Sequence, residues 1–452
     1  MLMVSSRDDW EIEAGRMFSI YADAALTIAA TSSPGADHGF LGPRHRRIGK
    51  QISVAYQNSV IPVNVREAVY HEEWDSADWN PLYTRAWAFQ ELLISPRLIS
   101  FGAAEVEWYC ADRSWCECDK TAESWWKPHY ELLRRQRATV NLLNIGDGRP
   151  AVSPIYRAEI SGFWELMVEE YTKRQLTFSS DKLPALSGLA TKFAKALQLP
   201  ESDYLAGLWR SDLLNGIAWQ CASKAPKIGT PSPGYRAPSW SWASVDTSIY
   251  YGNKRLLKRP IPTKITHASA SLSGRNRFGE VSHGILGISG PAAHAEFSLP
   301  AYDADGWRSY DPEDVNIRWL SSGYLSQSSK RSFQRRRGQG GSFRPDLPLV
   351  EGSYAFGRKD GRSLRRCTVV SPLPAAGVIS GHVVCLLVAH LDYSRHFNPE
   401  CLLLLVLGRL EGVLPGGNQG IDGYERLGLL TVEGRMIKSF YSRAKTIDMY
   451  IV

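Results

Sequence analysis

The chain has 452 residues, of which 44% are hydrophobic and 22% are charged. This composition is typical of a folded protein and excludes a wholly disordered, collagen-like or coiled-coil chain. The formal net charge is +7, but six positive charges lie in one Ser-, Gly- and Arg-rich segment, residues 321–345, which has no acidic residue. No apolar run reaches the roughly 18 residues that a membrane-spanning helix needs, so no membrane span is predicted.

Cysteine content and the N-terminal sequence both bear on the cellular compartment. Seven cysteines in a chain of this length are few and odd in number, so we expect no disulfide framework and a reducing environment. The N-terminus has no basic stretch followed by an apolar one, and a secretory signal is therefore not predicted. We expect a cytoplasmic protein.

The N-terminal region, residues 1–125, alternates between helical and strand patterns. A helix is predicted to begin at Asp8, which is suited to capping the first free N–H groups. A second helix is predicted over Tyr83–Leu93, before Pro96. Helices and strands in alternation predict an α/β layer with a largely parallel sheet. The apolar stripe of the first helix comprises Met17, Ile20, Tyr21, Ala24 and Ile28, and the predicted strands are Leu26–Thr31, Gln51–Val65, Arg97–Gly102 and Ala104–Cys110.

The downstream sequence changes from helical patterns to strands and turns. Residues 126–200 are interpreted as a helical connector, and residues 201–452 as a β-rich region whose strands fit either a sandwich or a distorted barrel. Segment 321–345 is predicted to be a disordered insert. Its basic residues Arg335–Arg337 could contact RNA or act as an import signal, but a solvated loop is favoured, and no specific nucleic-acid partner is expected. Further helices are predicted over Ser124–Tyr171, Lys182–Gln198 and Tyr204–Gln220.

Motifs for cofactors and metals are weak. The chain has no GxxxxGK[ST] loop, and Gly416–Gly423 is predicted to be a surface turn. Cys110, Cys116 and Cys118 could supply three thiolates to zinc, but no fourth ligand is evident and single buried cysteines are favoured. Trp240 and Trp242 could stack on a ligand, although packing is the more frequent role for such a pair. We therefore predict no cofactor and no metal.

The segment Arg85–Glu91 carries the most chemistry. On a helix, Trp87 and Glu91 are four residues apart and share a face. A lone carboxylate beside an indole loses solvation, which raises its pKa and suits it to acid–base or cation-stabilising work. The alternative is an ordinary helical Glu paired with Arg85 or Arg97, and the residues alone favour that alternative.

Several segments form a recognisable series along the chain. The N-terminal segments are Asp8–Ser33, His38–Leu41, Pro81–Gly102 and Val106–Cys110, and the downstream segments are Leu183–Ala190, Tyr204–Trp209, Leu214–Trp219, Ala237–Ser244 and Tyr424–Val432. Together they resemble the fungal heterokaryon incompatibility (HET) family. This resemblance implies a protein of nonself recognition that triggers growth arrest and cell death when incompatible cells fuse.

One feature departs from the family pattern. Members have two strands before the segment that corresponds to Asp8, whereas this chain begins at Met1, seven residues earlier. We therefore expect an incomplete module with exposed apolar faces and unpaired sheet edges, either because the gene start is placed too late or because the copy is shortened. Such a module would be poorly soluble or degenerate as a signalling domain.

HET domains are proposed to be distant relatives of TIR domains, some of which cleave NAD. The Trp-Cys-x-x-Glu-Leu motif of TIR enzymes is similar to Trp87–Leu92, with Ala88 at the Cys position. The resemblance implies a TIR-like or flavodoxin-like module in residues 1–125, with Glu91 as the catalytic residue and NAD as substrate. Arg85, Trp87 and Gln90 would be substrate-binding. A non-catalytic module that self-associates or binds a protein partner, or an inert remnant, stays open as an alternative.

Overall fold

The computed structural model divides the chain into two compact units, each of which is described by itself. Unit 1 comprises Met1–Ser153, Arg174–Thr177 and Pro184–Gln198, and unit 2 comprises Pro154–Lys173, Phe178–Leu183 and Leu199–Val452. The structure describes residues 7–42, 50–57, 59–65, 80–103, 105–111, 114–117, 154–222, 235–252, 257–300, 316–320, 341–346, 378–392, 400–410 and 423–452.

The first half of the chain contains most of the helices. In chain order the elements are α1 (Arg7–Ala22), β1 (Thr27–Ala29), β2 (Lys50–Tyr56), β3 (Ser59–Val65), a 3₁₀ turn (Pro81–Thr84), α2 (Ala86–Ile94), β4 (Leu98–Phe101), β5 (Val106–Tyr109), β6 (Ser114–Cys116), α3 (Pro154–Thr172, in unit 2) and α4 (Ser187–Leu197). Residues 124–153 of the predicted helical segment lie outside the described residues.

The sheet of unit 1 has the order β1–β4–β5–β6. Only β1 and β4 pair in parallel, joined through α2, whereas β4–β5 and β5–β6 are antiparallel. The prediction of a largely parallel sheet is therefore wrong for these strands. The physical reason is the short connection from β4 to β5, since four residues cannot carry a parallel crossover. Residues 50–65, predicted as one strand, form the hairpin β2–β3.

Unit 2 is the β-rich part of the protein. Its elements after α3 are β7 (Tyr204–Leu205), β8 (Leu208–Trp209), α5 (Leu213–Gly216), β9 (Gln220–Cys221), β10 (Ile249–Tyr250), β11 (Leu257–Lys258), β12 (Lys264–Leu272), β13 (Val281–Pro300), β14 (Asn316–Trp319), β15 (Gly341–Pro345), β16 (Val378–Asp392), β17 (Cys401–Leu410), β18 (Gly423–Glu433), α6 (Arg435–Tyr441) and β19 (Lys445–Ile451).

The sequence left a sandwich and a distorted barrel open for the β-rich region. The strands pair in a closed circuit, which makes the region a barrel. Strands β13, β16, β17, β18 and β19 pair in that order, and β19 pairs again with β13. The long strand β13 closes the circuit by changing neighbours near Gly290 and Pro291: its first half pairs with β12 and β19, and its second half with β14 and β16. An added Cβ at Gly290 would lie 2.6 Å from Thr263 Oγ1, so only glycine allows this close approach.

The predicted helix over Tyr204–Gln220 is wrong except at Leu213–Gly216, which form α5. Its first part is the short hairpin β7–β8, which turns at Ala206 (φ 49°) and Gly207 (φ 96°). Positive φ values are incompatible with an α-helix. The Gly207 carbonyl accepts hydrogen bonds from the indole N–H groups of Trp164 and Trp242, each at 3.0 Å, so tertiary contacts hold the turn that local propensity does not predict.

The disordered insert predicted at 321–345 is described only at its end. Residues 321–340 lie outside the described residues, and Gly341–Pro345 form strand β15, which pairs with β18. Among the described helices, none is long and apolar enough to cross a membrane.

A fully buried arginine joins several segments of unit 2. The Arg426 side chain, on β18, forms a buried ion pair with Asp346, with 2.6 Å between Nε and Oδ2. It also donates to the carbonyl oxygens of Ile217 and Trp219 and lies 3.5 Å from the centroid of a Trp219 ring. Because every one of these partners is buried, removal of the guanidinium deletes several hydrogen bonds that water cannot readily replace.

We expect Arg426→Met to lower the free energy of unfolding of unit 2 by about 3–5 kcal/mol, since it leaves the Asp346 carboxylate buried and uncompensated. Urea denaturation followed by tryptophan fluorescence measures the change. The exposed Arg435 provides the control, because Arg435→Met should change stability by less than about 0.5 kcal/mol. Equal effects of the two variants would contradict the assigned role of Arg426.

A second charged cluster in unit 2 surrounds Lys182. Its amine donates to the Val245 carbonyl and lies 3.5 Å from Asp246, which also pairs with Arg236 at 2.5 Å. Burial, followed by the positive charge of Arg236, lowers the pKa of Lys182 from 10.5 to about 7. The native state therefore releases this proton above pH 7, whereas the unfolded chain retains it to about pH 10.4.

The free energy of unfolding should consequently rise between pH 7 and pH 10, because unfolding takes up a proton in that window. Lys182→Met should flatten this rise relative to the wild type, which urea titrations at several pH values measure. Lys438→Met, at an exposed lysine on α6, should retain it. A wild-type slope that survives in Lys182→Met would show that Lys182 is not the titrating group.

Candidate functional site

Helix α2, which carries the predicted site residues, is held at its N-terminus by a distant segment of unit 1. The Ala86 N–H donates to the Gln175 carbonyl at 2.9 Å. The Arg174 guanidinium donates to the Tyr83 carbonyl and lies 4.6 Å from the centroid of the Phe89 ring. These contacts determine where α2 starts, and they leave the Glu91 end to be positioned by other elements.

Helix α1 packs along α2 and contacts it at two points. The indole rings of Trp10 and Trp87 meet edge to face, with centroids 6.0 Å apart and an interplanar angle of 88°. Farther along, Tyr21 of α1 lies near enough to Glu91 of α2 for each side chain to affect the pKa of the other. Eleven residues make about three helical turns, so Trp10 and Tyr21 project from the same face of α1.

The environment of Glu91 favours its neutral form. Burial raises the pKa of Glu91, and two contacts oppose that effect: the Tyr21 hydrogen bond and the positive charge of Arg85. The pKa of Tyr21 is also raised, by burial and by the nearby Glu91. Glu91 is therefore a partly buried carboxylate with a hydroxyl donor and a cation acting on it, a combination typical of groups that work in acid–base or cation-stabilising chemistry.

Ser95 locates Glu91 relative to the sheet. The Ser95 hydroxyl oxygen lies within hydrogen-bond distance of two groups. It is 2.6 Å from the Glu91 carbonyl oxygen and 2.8 Å from the Thr27 hydroxyl oxygen. Since Thr27 is the first residue of β1, Glu91 lies towards the amino ends of the parallel pair β1 and β4. Ligands of open α/β sheets usually bind at the opposite, carboxyl edge.

A second buried carboxylate, Glu107 on β5, lies opposite Ser100 of β4. Glu107 Oε2 accepts hydrogen bonds from the Tyr83 hydroxyl at 3.3 Å and from the Tyr109 hydroxyl at 3.0 Å. The Ser100 hydroxyl in turn lies 2.6 Å from that of Thr31, just after β1. This network therefore belongs to the carboxyl-edge side of the parallel pair, and Glu107 gives a natural comparison for Glu91.

Gln90 lies next to Glu91 in the sequence but contacts a different element. Its side chain is buried, and its Oε1 accepts a hydrogen bond from the Gly188 N–H of α4 at 3.1 Å. Its Nε2 has no hydrogen-bond partner among the described residues. Gln90 thus joins α2 to α4, while its predicted contact with substrate stays a prediction.

The structure brings together only part of the predicted site. Glu91 and Arg85 influence each other electrostatically, whereas the described ring contact of Trp87 is to Trp10. Tyr21 was interpreted as part of an apolar stripe and was missed as a site residue. A signal was available, since a tyrosine on an apolar helix face carries a hydroxyl that favours a polar neighbour. Two other members of that stripe are instead largely exposed, Ile20 at 48% and Ile28 at 59%.

The other candidate ligand residues have structural roles. Trp240 and Trp242 are fully buried, which confirms the packing interpretation. Cys110 is not disulfide-bonded, whereas Cys116 is, so the expectation of single buried cysteines is wrong at Cys116. Cys118 lies outside the described residues. Within the part of the chain that the structure describes, no group of three or more His, Cys, Asp or Glu side chains could bind a metal.

The comparison with protein families agrees with the N-terminal geometry. Residues 4–91 match the family model described as heterokaryon incompatibility protein (HET). The match places a partial HET domain at the N-terminal part of the chain. The matched segment contains both α1 and the part of α2 that ends at Glu91, so the HET segment includes Tyr21, Arg85, Trp87 and Glu91. No curated protein and no solved structure matches the chain significantly.

Gly188 is the point at which α4 approaches α2 and α1 most closely. An added Cβ would lie 2.8 Å from Gln90 Oε1 and 3.1 Å from Phe18 Cβ. We expect Gly188→Ala to lower the free energy of unfolding by about 1–3 kcal/mol through overpacking, measured by thermal or urea denaturation. Gly15→Ala is the matched control, since a Cβ at Gly15 of α1 meets nothing within 4 Å and should stabilise the helix by about 0.5–1 kcal/mol. Stabilisation by both substitutions would contradict the close approach.

Proposed function

We propose that this HET protein acts in nonself recognition and promotes programmed cell death by cleaving NAD, with Glu91 as the catalytic carboxylate. The observation that carries the proposal is a half-buried carboxylate, Glu91, whose pKa is raised by burial against the opposing charge of Arg85, inside the segment that matches the HET family. Trp87 and Gln90 are proposed to shape the substrate site beside it. The protein is proposed to act in the cytoplasm.

The domain organisation is part of the same proposal. Residues 1–125 would form a TIR-like HET module and residues 126–200 a helical connector. Residues 201–452 would form a β-rich region with a separate function. The parallel pair β1–β4 with α2 as its crossover supports an α/β module of this kind, because such βαβ units are the repeating part of flavodoxin-like folds.

The proposed reaction breaks the bond between the nicotinamide nitrogen and C1′ of its ribose. The bonding electron pair leaves with nicotinamide, and the ribose passes through an oxocarbenium-like state that a nearby carboxylate stabilises. Water then adds its oxygen to C1′ and releases one proton, which yields ADP-ribose, nicotinamide and H⁺. Glu91 must be ionised for this role, while Arg85 lies close enough to influence its charge and could also pair with a substrate phosphate.

Glu91→Gln should lower NAD turnover by at least about 100-fold, because the amide cannot offset the positive charge that develops on the ribose. The measurement is NAD consumption by the purified full chain, with thermal unfolding as a check on folding. Wild-type activity should appear only as the pH rises through the elevated pKa of Glu91, above the ordinary Glu value of about 4.3.

Glu107→Gln is the matched control, since it neutralises another buried carboxylate that accepts hydrogen bonds from tyrosine hydroxyls. It should retain most of the turnover. Loss of turnover in Glu107→Gln with retention in Glu91→Gln would move the catalytic role to the carboxyl edge of the parallel strands. Background turnover in all three proteins would reject NAD cleavage.

A non-catalytic interaction module is the second candidate, because the β2–β3 hairpin exposes several large apolar side chains. Exposed apolar strands favour self-association or binding of a protein partner. The two candidates differ in their prediction for growth of a fungal host that expresses Glu91→Gln. If the module is non-catalytic, this variant should still arrest growth, without a fall in NAD. The exposed apolar side chains of the β2–β3 hairpin are Ile52, Val54, Tyr56, Val60, Ile61, Val63 and Val65, which are 37–70% exposed.

A further inference from the structure

We propose that strand β2 pairs edge to edge with β2 of a second copy of this chain, which makes the β2–β3 hairpin a dimerisation element of unit 1. The two hairpins join into one four-stranded sheet, with a two-fold axis between the two central β2 strands. This inference specifies the partner for the interaction-module candidate. It is independent of NAD cleavage, so either can fail without the other.

The hairpin lacks the strands that normally stabilise a sheet. Within the part of the chain that the structure describes, β2 and β3 pair only with each other, and their apolar side chains are exposed, Val60 to 70%. A two-stranded hairpin is marginally stable in water, and three or more strands are usually needed. Addition of strands from a second copy therefore stabilises the hairpin.

The turn determines which backbone groups of the hairpin face outward. Tyr56 pairs with Ser59 across the two residues 57 and 58, and the pair that closes such a turn exchanges both N–H···O bonds. Alternation along the strands makes Ser53 and Pro62 a pair without mutual hydrogen bonds. Proline has no N–H and requires the same assignment. The N–H and C=O groups of Ser53 are therefore directed away from β3.

The two outer edges of the hairpin differ in whether another strand can add to them. On β3, Pro62 occupies a position where an N–H would face outward, and proline is a common block to strand addition at an edge. On β2, Gln51, Ser53 and Ala55 each present both backbone groups. Residues 51–63 contain no charged side chain, which is the other usual block. Strand addition is therefore open at β2 and blocked at β3, so the assembly stops at two copies.

The sequence of β2 is self-complementary in an antiparallel arrangement. A two-fold axis at Ser53 places Ile52 of one copy opposite Val54 of the other. On β3, Ile52 already pairs with Val63 and Val54 with Ile61. The four strands then align these β-branched side chains in continuous rows on one face, and such cross-strand pairs stabilise a sheet.

The size of the contact predicts a reversible dimer. A strand of seven residues is about 24 Å long, and its edge buries less than the roughly 800 Å² per partner of a standard interface. Backbone hydrogen bonds between the two β2 strands therefore carry the association. The monomer and the dimer should exchange with protein concentration.

Ser53→Pro in the full chain tests the edge contact. It removes the outward N–H at the two-fold axis and leaves the hydrogen bonds between β2 and β3 in place, as Pro62 does on the opposite strand. The wild type should change from monomer to dimer with rising concentration in sedimentation velocity. The variant should have a dissociation constant at least about 10-fold higher, because both hydrogen bonds of the central pair are lost.

Val60→Pro is the matched control. Val60 lies opposite Ala55, so its N–H also faces outward, but on the edge that Pro62 already blocks. This variant should dimerise like the wild type. Equal weakening by both proline substitutions would overturn the proposal, since the effect would then come from damage to the hairpin. A wild type that stays monomeric at every concentration would overturn it as well.

Ser53→Cys tests the register directly. The two-fold axis places residue 53 opposite itself with about 5.5 Å between the Cα atoms, which is within disulfide range. Mild oxidation should give a covalent dimer that a thiol reductant reverses, whereas Val60→Cys should cross-link no more than the wild type. A dimer that persists in Ser53→Pro and does not cross-link in Ser53→Cys would place the contact elsewhere, on stacked apolar faces or in unit 2, and would reject the β2 edge. None of these measurements uses NAD.

Discussion

The packing of α1 along α2 determines what the Glu91 carboxylate can do. A glutamate in the second half of an isolated helix would be solvated and would have an ordinary pKa. Here burial removes part of its water and raises its pKa, while Tyr21 of the neighbouring helix and the charge of Arg85 lower it. The two effects act in opposite directions on the pKa, so the ionisation of Glu91 depends on how closely the helices approach. The edge-to-face contact of Trp10 and Trp87 and the close approach of α4 at Gly188 set that distance.

Unit 2 depends on a different kind of constraint. Its barrel closes because β13 bends and changes neighbours, and the polar groups between the barrel and the preceding segments are satisfied by Arg426. One guanidinium pairs with Asp346, donates to two backbone carbonyls and stacks on Trp219. A buried ion pair of this kind contributes less to net stability than to specificity, since apolar residues of similar volume could fill the space. We interpret Arg426 as the residue that holds the segment 217–221 and Asp346 in one arrangement against β18.

The two carboxylate sites of unit 1 illustrate why fold-level analogy has to be tested at the site. The motif similarity places Glu91 on the crossover helix of a parallel strand pair, but its hydrogen-bond neighbours place it towards the amino ends of those strands. The hydroxyl and carboxylate network of Thr31, Ser100 and Glu107 occupies the other side. Because the same fold can support different chemistry at its two edges, the identity of the working carboxylate is a property of the local environment and not of the helix motif.

The sequence by itself determined the HET resemblance of the N-terminal segment, the approximate positions of α2, β4 and β5, and the β-rich character of the C-terminal region. These are local properties, set by hydrophobic period, by proline and by motif. Only the tertiary structure decided that the sheet of unit 1 is mostly antiparallel, that residues 204–209 form a hairpin and that β13 closes a barrel. It also decided that Tyr21, 70 positions before Glu91 in the chain, lies near enough to affect the pKa of that carboxylate. Such pairings depend on which faces of distant elements meet, and a single sequence does not encode that meeting in any local pattern.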